Sequence, residues 1–109
     1  MTIDKEKTDW GMVWNINGEN KSFRFSVYVY DDDHSILYLS NVFVSKEHRG
    51  KGIGNKILET ADKIAEKFNC KQICLKAKIG SNAYSWYKRH GYNDLEKDNE
   101  DNDYMWLIK

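Results

Sequence analysis

Apolar and polar side chains partly alternate in the first third of the chain. Residues 10 to 16 and residues 21 to 30 are rich in aromatic and β-branched side chains, and Asn17-Gly18 lies between the two segments. A period of two residues is typical of half-buried strands, and Asn-Gly is a frequent hairpin turn. This pattern predicts a β-hairpin.

Farther along the chain, the spacing of apolar residues changes from strand-like to helical and back. Residues 36 to 44 form a largely apolar run that predicts a third, mostly buried strand. In residues 52 to 68, apolar side chains recur at helical spacing and charged side chains occupy the other side, which predicts an amphipathic helix. Residues 72 to 77 predict a strand after Asn69, which can cap that helix in the left-handed conformation. The connection of strand, helix and strand favours a parallel pair.

The last third of the chain predicts a shorter helix followed by two strands. Ser81 or Asn82 can cap the first turn of a helix that continues to Arg89. Residues 92 to 95 and 104 to 108 predict the two strands, and an acidic stretch connects them. The predicted order of elements is therefore β-β-β-α-β-α-β-β.

The length and composition are those of one small domain. The chain has 109 residues, of which 40% are hydrophobic, so we expect a single α+β domain over residues 1 to 109 with its own core. Seventeen basic and seventeen acidic residues cancel, which argues against nucleic-acid or membrane partners. The chain has no apolar run long enough for a membrane span, and its first residues lack the apolar core of a signal peptide, so we expect a cytoplasmic protein.

The two cysteines predict neither a disulfide nor a metal site. Cys70 and Cys74 lie at a predicted helix end and in a predicted strand, without a neighbouring histidine or a second cysteine pair. Zinc sites need such additional ligands. We therefore expect two separately packed thiols and no metal.

A glycine-rich segment lies where the third predicted strand becomes the first predicted helix. It contains Gly50, Gly52 and Gly54, accompanied by Arg49 and Lys51. Glycines let main-chain amides turn inward, and a helix begins with a partial positive charge. The segment therefore predicts a cradle for a diphosphate. A tight turn alone would use the same glycines, but the basic residues and the strand-to-helix context favour the anion site.

Two common nucleotide-binding motifs do not fit this segment. A P-loop requires four residues between its first glycine and a Gly-Lys-Ser/Thr ending, and that spacing is missing. The dinucleotide fingerprint would require a glycine at Asn55 and an acidic residue after the next strand, where lysines stand instead.

With this loop the chain resembles the GNAT superfamily of N-acetyltransferases, whose motif is Arg/Gln-x-x-Gly-x-Gly/Ala at a helix start. The motif stands here as Arg49-Gly50-Lys51-Gly52-Ile53-Gly54. A second segment, Trp86-Tyr87-Lys88-Arg89-His90-Gly91-Tyr92, is similar to the aromatic-Tyr-x-x-x-Gly-aromatic segment of the family. The resemblance covers residues 36 to 92. It implies a mostly antiparallel mixed sheet with a central parallel pair and two helices.

The resemblance also implies acetyl-CoA as cosubstrate. Val42 to Val44 would present main-chain groups to the pantetheine arm and the acetyl carbonyl, and residues 49 to 55 would hold the pyrophosphate. Asn82 would match a family asparagine near the cofactor; it lies five residues before Tyr87, where the family often has seven. The implied cofactor-binding residues are Val42, Phe43, Val44, Arg49, Gly50, Lys51, Gly52, Ile53, Gly54, Asn55 and Asn82.

Acyl transfer from a thioester to an amine needs a neutral amine, a stabilised oxyanion and a proton for the departing thiolate. A main-chain N–H near Val44 would face the oxyanion. The match of Tyr87 to the family implies that it donates to the leaving sulfur, whereas a packed core tyrosine is the alternative. No carboxylate stands on the two central strands, so water with loop groups such as His34 or Glu47 is left for base catalysis.

The expected function is N-acetyl transfer from acetyl-CoA to a primary amine of a protein or a polyamine, by a monomer or homodimer. Family members usually carry one or two helices between their first strands, and here only Asn17-Gly18 joins the predicted ones. Such an open site would also suit a non-catalytic acetyl-CoA-binding module that acts through a protein partner. The acidic stretch before residue 104 predicts attraction of a cationic acceptor; it would equally solvate an exposed hairpin.

Overall fold

Seven strands and two α-helices account for most of the chain. A computed structural model describes all residues from 1 to 109, and its contacts divide the chain into two units, Met1–Ile73 and Cys74–Lys109. The elements are β1 (Thr2–Lys7), β2 (Gly11–Asn17), β3 (Phe23–Tyr30), β4 (Asp33–Val44), α1 (Ile53–Lys67), β5 (Gln72–Lys78), α2 (Asn82–Arg89), β6 (Asn93–Lys97) and β7 (Tyr104–Ile108). Neither helix has the length and hydropathy that a membrane-spanning helix requires.

The predicted hairpin is confirmed as β2 and β3. The two strands pair antiparallel, with Gly11 opposite Tyr30 and Asn17 opposite Arg24. Its connection is longer than an Asn-Gly turn, because a 3-10 turn over Glu19–Lys21 closes it. Strand β4 continues the antiparallel order on the other side of β3.

The sequence pattern missed strand β1. All six of its residues are exposed, and its charged composition gives no hydrophobic alternation. It pairs with β2 along its whole length, from Thr2 opposite Asn17 to Lys7 opposite Met12. Charged residues on such an edge strand disfavour pairing with other molecules. The first unit therefore has four strands instead of the expected three, and β1 joins β2 through residues 8 to 10 without a helix.

The core of the first unit lies between α1 and one face of strands β2 to β4. The buried side chains on the helix recur at the predicted helical spacing, and each large apolar side chain in such a core contributes roughly 1.5–3 kcal/mol. These buried residues include Ile16, Phe25, Val27, Leu37 and Leu39 from the strands and Ile57, Leu58, Ala61 and Ala65 from α1. The helix ends as predicted, since Asn69 adopts a left-handed φ of 59°.

The second unit contains β5, β7 and β6, which pair antiparallel in that order, together with α2. Its buried residues include Leu75, Ala77, Tyr92 and Leu107. The predicted helix is confirmed, and Ser81 is its cap. Strand β6 begins at Asn93 and extends to Lys97, two residues into the stretch that we assigned to the acidic connection.

Candidate active site

Strand β4 carries a bulge shortly before the glycine-rich loop. Arg24 lies opposite Phe43, but Ser26 lies opposite Ser40, so β4 has one residue more than β3 between these pairs. Asn41 adopts a left-handed φ of 54° within this stretch, a conformation that asparagine tolerates better than most residues. A bulge interrupts the hydrogen-bonded ladder locally. The bulge at Asn41 lies directly before the predicted acetyl-binding segment, residues 42 to 44.

Two side chains shape the turn between β4 and the glycines. The Ser45 hydroxyl and His48 Nδ1 are 2.6 Å apart and share a hydrogen bond across the 3-10 turn Lys46–His48. Arg49 Nε donates to the carbonyl oxygen of Val44 at 3.0 Å. The predicted pyrophosphate ligand Arg49 is thus tied to the end of β4 through one nitrogen, while its side chain remains exposed.

Gly50 and Gly52 are needed for their backbone conformation and for the space around them. Their φ angles are +77° and +81°, which lie in the left-handed region that favours glycine. A Cβ atom at either position would meet no protein atom within 4 Å. Packing therefore does not explain these glycines, and the surface beside them is open to a ligand.

Helix α1 begins without a capping side chain. Gly52 is its N-cap residue, and no side-chain hydrogen bond caps the first turn, which also lacks an acidic residue. The amides of Ile53 and Gly54 belong to this turn, where main-chain N–H groups have no intrahelical acceptor. The helix dipole adds partial positive charge at the same place. The arrangement suits the binding of an anion such as a diphosphate.

Tyr87 lies on the buried side of α2. Its side chain is only 7% exposed and contacts the rings of Trp86 and Tyr92, with centroid distances of 5.1 and 5.8 Å. Burial raises the pKa of Tyr87 to about 12. The phenol therefore stays protonated at neutral pH and can act as a hydrogen-bond donor.

The neighbouring Tyr84 is already engaged by a carboxylate. Its hydroxyl donates to Asp94 at 2.6 Å, and Lys88 approaches the same carboxylate at 3.4 Å. The hydrogen bond to Asp94 raises the pKa of Tyr84, and the same bond lowers the pKa of Asp94. Asn82 is exposed at the first position of α2. Tyr87 is therefore the candidate hydrogen-bond donor of the two tyrosines, because the Tyr84 hydroxyl is already bonded to Asp94.

The acidic connection is less uniform than its sequence suggests. Asp98 is buried, and its carboxylate accepts hydrogen bonds from Lys76 Nζ at 3.2 Å and Trp106 Nε1 at 3.3 Å. Burial acts to raise the pKa of Asp98, but the hydrogen bond and charge of Lys76 together with the hydrogen bonds from Trp106 and the main chain outweigh it, so the pKa is lowered. Asp98 is therefore a structural ion-pair partner. Only the exposed residues 100, 101 and 103 remain to attract a cation from the connection.

Sequence reasoning missed a groove in the first unit. It has a volume of about 640 Å³, and its lining includes Trp10, Tyr28, Tyr30, Ser40 and Asn41. The signal was present in the sequence, because tyrosines recur at alternate positions of β3 and again on β4. It could be used only once the register of the strands showed that these side chains share a face.

Comparison with known proteins supplies the family. A family model described as an acetyltransferase (GNAT) domain matches residues 9–94. Three solved structures resemble nearly the whole chain. A Klebsiella pneumoniae protein assigned as an acyl-CoA N-acyltransferase has 16% identity and a TM-score of 0.75, over 99% of this chain and 95% of that chain.

The other two were solved with ligands. A GNAT family acetyltransferase from Elizabethkingia anophelis with acetyl-CoA bound has 14% identity and a TM-score of 0.70, over 98% of this chain and 95% of that chain. The PaiA N-acetyltransferase from Thermoplasma acidophilum, in complex with coenzyme A, has 16% identity and a TM-score of 0.73, over 92% of this chain and 60% of that chain. At these identities the likeness shows the fold. It confirms the predicted α+β fold, a mostly antiparallel mixed sheet with one parallel pair and two helices.

Proposed function

Because the chain belongs to the GNAT family of acetyltransferases, we propose that it moves an acetyl group directly from acetyl-CoA to a primary amine. One observation carries the proposal: α1 begins at an uncapped, left-handed glycine beside open space. A structural helix start would normally satisfy its amides with a side chain. The exposed start of α1 therefore supports a role in binding an anionic ligand.

The residues around this helix start fit the diphosphate of acetyl-CoA. Gly50 and Gly52 leave room for phosphate oxygens, since no protein atom lies within 4 Å of their missing side chains. The first amides of α1 can donate to those oxygens, and the exposed side chains of Arg49 and Lys51 add positive charge. We assign Val42 to Val44 to the pantetheine arm and acetyl carbonyl, where a main-chain N–H stabilises the developing negative charge.

We assign Tyr87 to the departing sulfur. The amine nitrogen forms the new bond to the acetyl carbon, the bond from that carbon to sulfur breaks, and the electron pair of this bond stays on sulfur. A phenol with a pKa of about 12 holds its proton more tightly than a thiol with a pKa of about 8.5 does. Complete transfer from Tyr87 to the thiolate is therefore unfavourable, and hydrogen-bond donation is the role we propose. The proton lost by the amine is then available to protonate the thiolate through water.

The amine acceptor is a protein amine or a polyamine in this proposal. Neither the connection from β1 to β2 nor the one from β2 to β3 contains an α-helix. Short connections at this edge favour an open acceptor site that admits a long or bulky amine. The acidic residues 100, 101 and 103 are exposed, which favours a cationic acceptor.

A non-catalytic acetyl-CoA-binding module is the second candidate. It is favoured by the absence of a carboxylate on β4 and β5 at positions where a general base would help to deprotonate the amine. Beyond Asp33 at its start, β4 has no acidic residue, and β5 has none. Such a protein would bind the cofactor and act through a protein partner.

Release of free thiol from acetyl-CoA over a panel of amines separates the two candidates. We expect thiol release that depends on the amine, together with an acetylated product of matching mass. Calorimetry with acetyl-CoA in the same buffer is the control for binding. Tight binding without turnover on any amine would favour the module, and no binding at all would contradict both candidates.

A further inference from the structure

The sheet of the first unit has two different faces. Strand register places Val13 opposite Tyr28 and Tyr28 opposite Tyr38, so these side chains share one face. The residues between them, such as Val27 and Leu39, are buried on the face that carries α1. The groove therefore lies on the face opposite to α1. That face is polar and aromatic, with Asn15 accepting a hydrogen bond from the Ser26 hydroxyl at 2.6 Å.

Three aromatic rings meet at one end of this groove. Trp10 and Tyr28 have a centroid distance of 5.6 Å and an interplanar angle of 80°. Tyr30 lies 5.1 Å from Trp10 and 5.7 Å from Tyr28, at 51° and 86°. Trp10 and Tyr30 are exposed to 43% and 36%. At these distances and angles the rings pack edge to face against one another. The exposed faces of Trp10 and Tyr30 are open to an alkylammonium group, which aromatic faces attract through cation–π interaction.

The charges around the groove also favour a cation. Strand β1 alternates acidic and basic residues, and its register places Asp4 opposite Asn15 and Glu6 opposite Val13, two residues that line the groove. Of the basic residues of β1, Lys5 lies on the other face, with its Nζ 6.0 Å from the ring of Trp14, and Lys7 is neutralised by an ion pair of 2.7 Å with Asp31. No lysine or arginine lines the groove. Strand β1 therefore adds the negative charges of Asp4 and Glu6 along the groove.

The other end of the groove reaches the bulge in β4. Ser40 and Asn41 line it there, directly before the segment that we assign to the acetyl carbonyl. Tyr30 and Ser26 are four residues apart on β3, which corresponds to roughly 13 Å along the strand. The aromatic end is thus too far from the bulge to hold the reacting nitrogen itself.

We propose that the aromatic end of the groove binds a second cationic group of the acceptor, while the amine to be acetylated lies at the bulge. The acceptor is then a linear molecule with two cationic nitrogens, and this inference rests on the proposed function. Trp10, Tyr28 and Tyr30 contact the distal ammonium, and Asp4 and Glu6 raise its local concentration. Acetylation removes only the charge of the amine that lies at the bulge. The selectivity for a double cation therefore acts when the acceptor binds, before the acetyl group is transferred.

The first test measures binding without acetyl-CoA. The ligands are α,ω-diamines of increasing chain length, each compared with the monoamine of the same length, and calorimetry gives their affinities for the intact protein. We expect affinity to rise with diamine length until both nitrogens are accommodated, with weaker binding of every monoamine. Equal binding of diamines and monoamines would overturn the inference. An extended peptide with two lysines at matching separation distinguishes a protein acceptor from a free polyamine.

Variants on the two faces locate the binding. Trp10→Leu should weaken the binding of the preferred diamine roughly three- to thirtyfold, the range from an exposed to a desolvated cation–π contact. Trp14→Leu is the matched control, because Trp14 lies on the opposite face against Phe68. The double variant Asp4→Asn with Glu6→Gln should weaken diamine binding and make it less dependent on salt concentration, whereas Lys5→Gln should change neither. Unchanged diamine affinity in both groove variants would refute the assignment.

Kinetics separate this inference from the proposed function. If acetyl transfer occurs, Trp10→Leu should raise the KM for diamines and leave kcat nearly unchanged, because the ring binds a part of the acceptor that does not react. Diamine binding in the groove without any acetyl transfer would refute the proposed function and leave the cation site intact. Acetyl transfer with no preference for a double cation would refute the cation site and leave the proposed function intact.

Discussion

The two helices of this protein begin in opposite ways. Helix α1 follows Gly52, which has no side chain to offer, whereas the hydroxyl of Ser81 accepts a hydrogen bond from Tyr84 N at 3.1 Å in the first turn of α2. Both starts are preceded or formed by a glycine with a φ of +81°, Gly52 in one case and Gly80 in the other. A left-handed glycine is therefore not sufficient for an anion site. The presence or absence of the capping side chain decides which helix start is open to a ligand.

Beyond their first turns, the two helices differ in the opposite sense. Helix α1 behind its glycines is a packing element, with Ile57, Leu58, Ala61 and Ala65 buried. Helix α2 is closed at its start but carries Tyr87, whose pKa burial raises to about 12. Under the proposed function, α1 contributes main-chain amides and α2 contributes a side chain. Three substitutions test this division, in order of decreasing expected effect.

Gly52→Asp should weaken acetyl-CoA binding by at least about 100-fold. A carboxylate placed at the open helix start repels the diphosphate, and like-charge contacts of this kind cost several kcal/mol. Isothermal titration calorimetry with acetyl-CoA measures the loss. Gly91→Asp is the matched control, since Gly91 also has a left-handed φ, +94°, and a Cβ there would make only an ordinary contact with Lys109.

Both aspartates are strained by about 1–3 kcal/mol in the left-handed region, so their melting temperatures should fall by similar amounts. Only Gly52→Asp should lose the cofactor. Wild-type affinity in Gly52→Asp would show that the start of α1 does not hold the diphosphate.

Tyr87→Phe should lower turnover roughly 10- to 1000-fold and leave acetyl-CoA affinity nearly unchanged. The substitution removes only the hydroxyl, and the ring can still pack against Trp86 and Tyr92. Because the phenol is lost as a donor only when the pH rises through about 12, the wild-type rate should show no decline from this group at pH values of about 7 to 9. Steady-state kinetics over that range measure both effects, with Tyr84→Phe as control. An unchanged rate in Tyr87→Phe would make this tyrosine a core residue.

Ser81→Ala should have the smallest effect, a loss of about 0.5–2 kcal/mol of unfolding free energy. The hydroxyl of Ser81 also donates to the carbonyl of Lys78 at 2.6 Å, so the substitution removes two hydrogen bonds at the start of α2. Urea denaturation measures the loss, and Ser81→Asp should restore most of it because aspartate is a good cap. Acetyl-CoA affinity should not change. A large loss of affinity in Ser81→Ala would mean that the start of α2 also serves the cofactor.

Much of the fold could be predicted because most of its helices and strands bury one face, so that apolar residues recur at regular spacing in the sequence. The helical spacing from Ile53 to Phe68 placed α1 to within one residue at each end, and the Ser81 cap placed the start of α2. Strand β1 escaped prediction for the opposite reason. Its residues are all exposed, and its pairing with β2 uses main-chain hydrogen bonds that every residue can make. A strand held only by its backbone leaves no pattern of apolar side chains.

The candidate site also combines features that adjacent residues predict with features that depend on distant residues. The glycines at positions 50, 52 and 54 are local signals, because the conformation and charge of a helix start depend on adjacent residues. The partner of Asp98 is not local, because its carboxylate is paired with Lys76, 22 positions earlier in the chain. In the sequence, Asp98 is only one member of an acidic run. The bulge at Asn41 also required the register of β3 against β4.

By itself, the sequence determined the glycine-rich start of α1, the amphipathic helix and the family motif around Tyr87, since each depends on residues that are neighbours in the chain. Only the tertiary structure decided that Asp98 is buried in an ion pair and that Trp10, Tyr28 and Tyr30 meet in one groove. Those features arise where strands far apart in sequence are brought into register. A shift of one residue in that register would turn the tyrosines to the face of α1 and remove the groove.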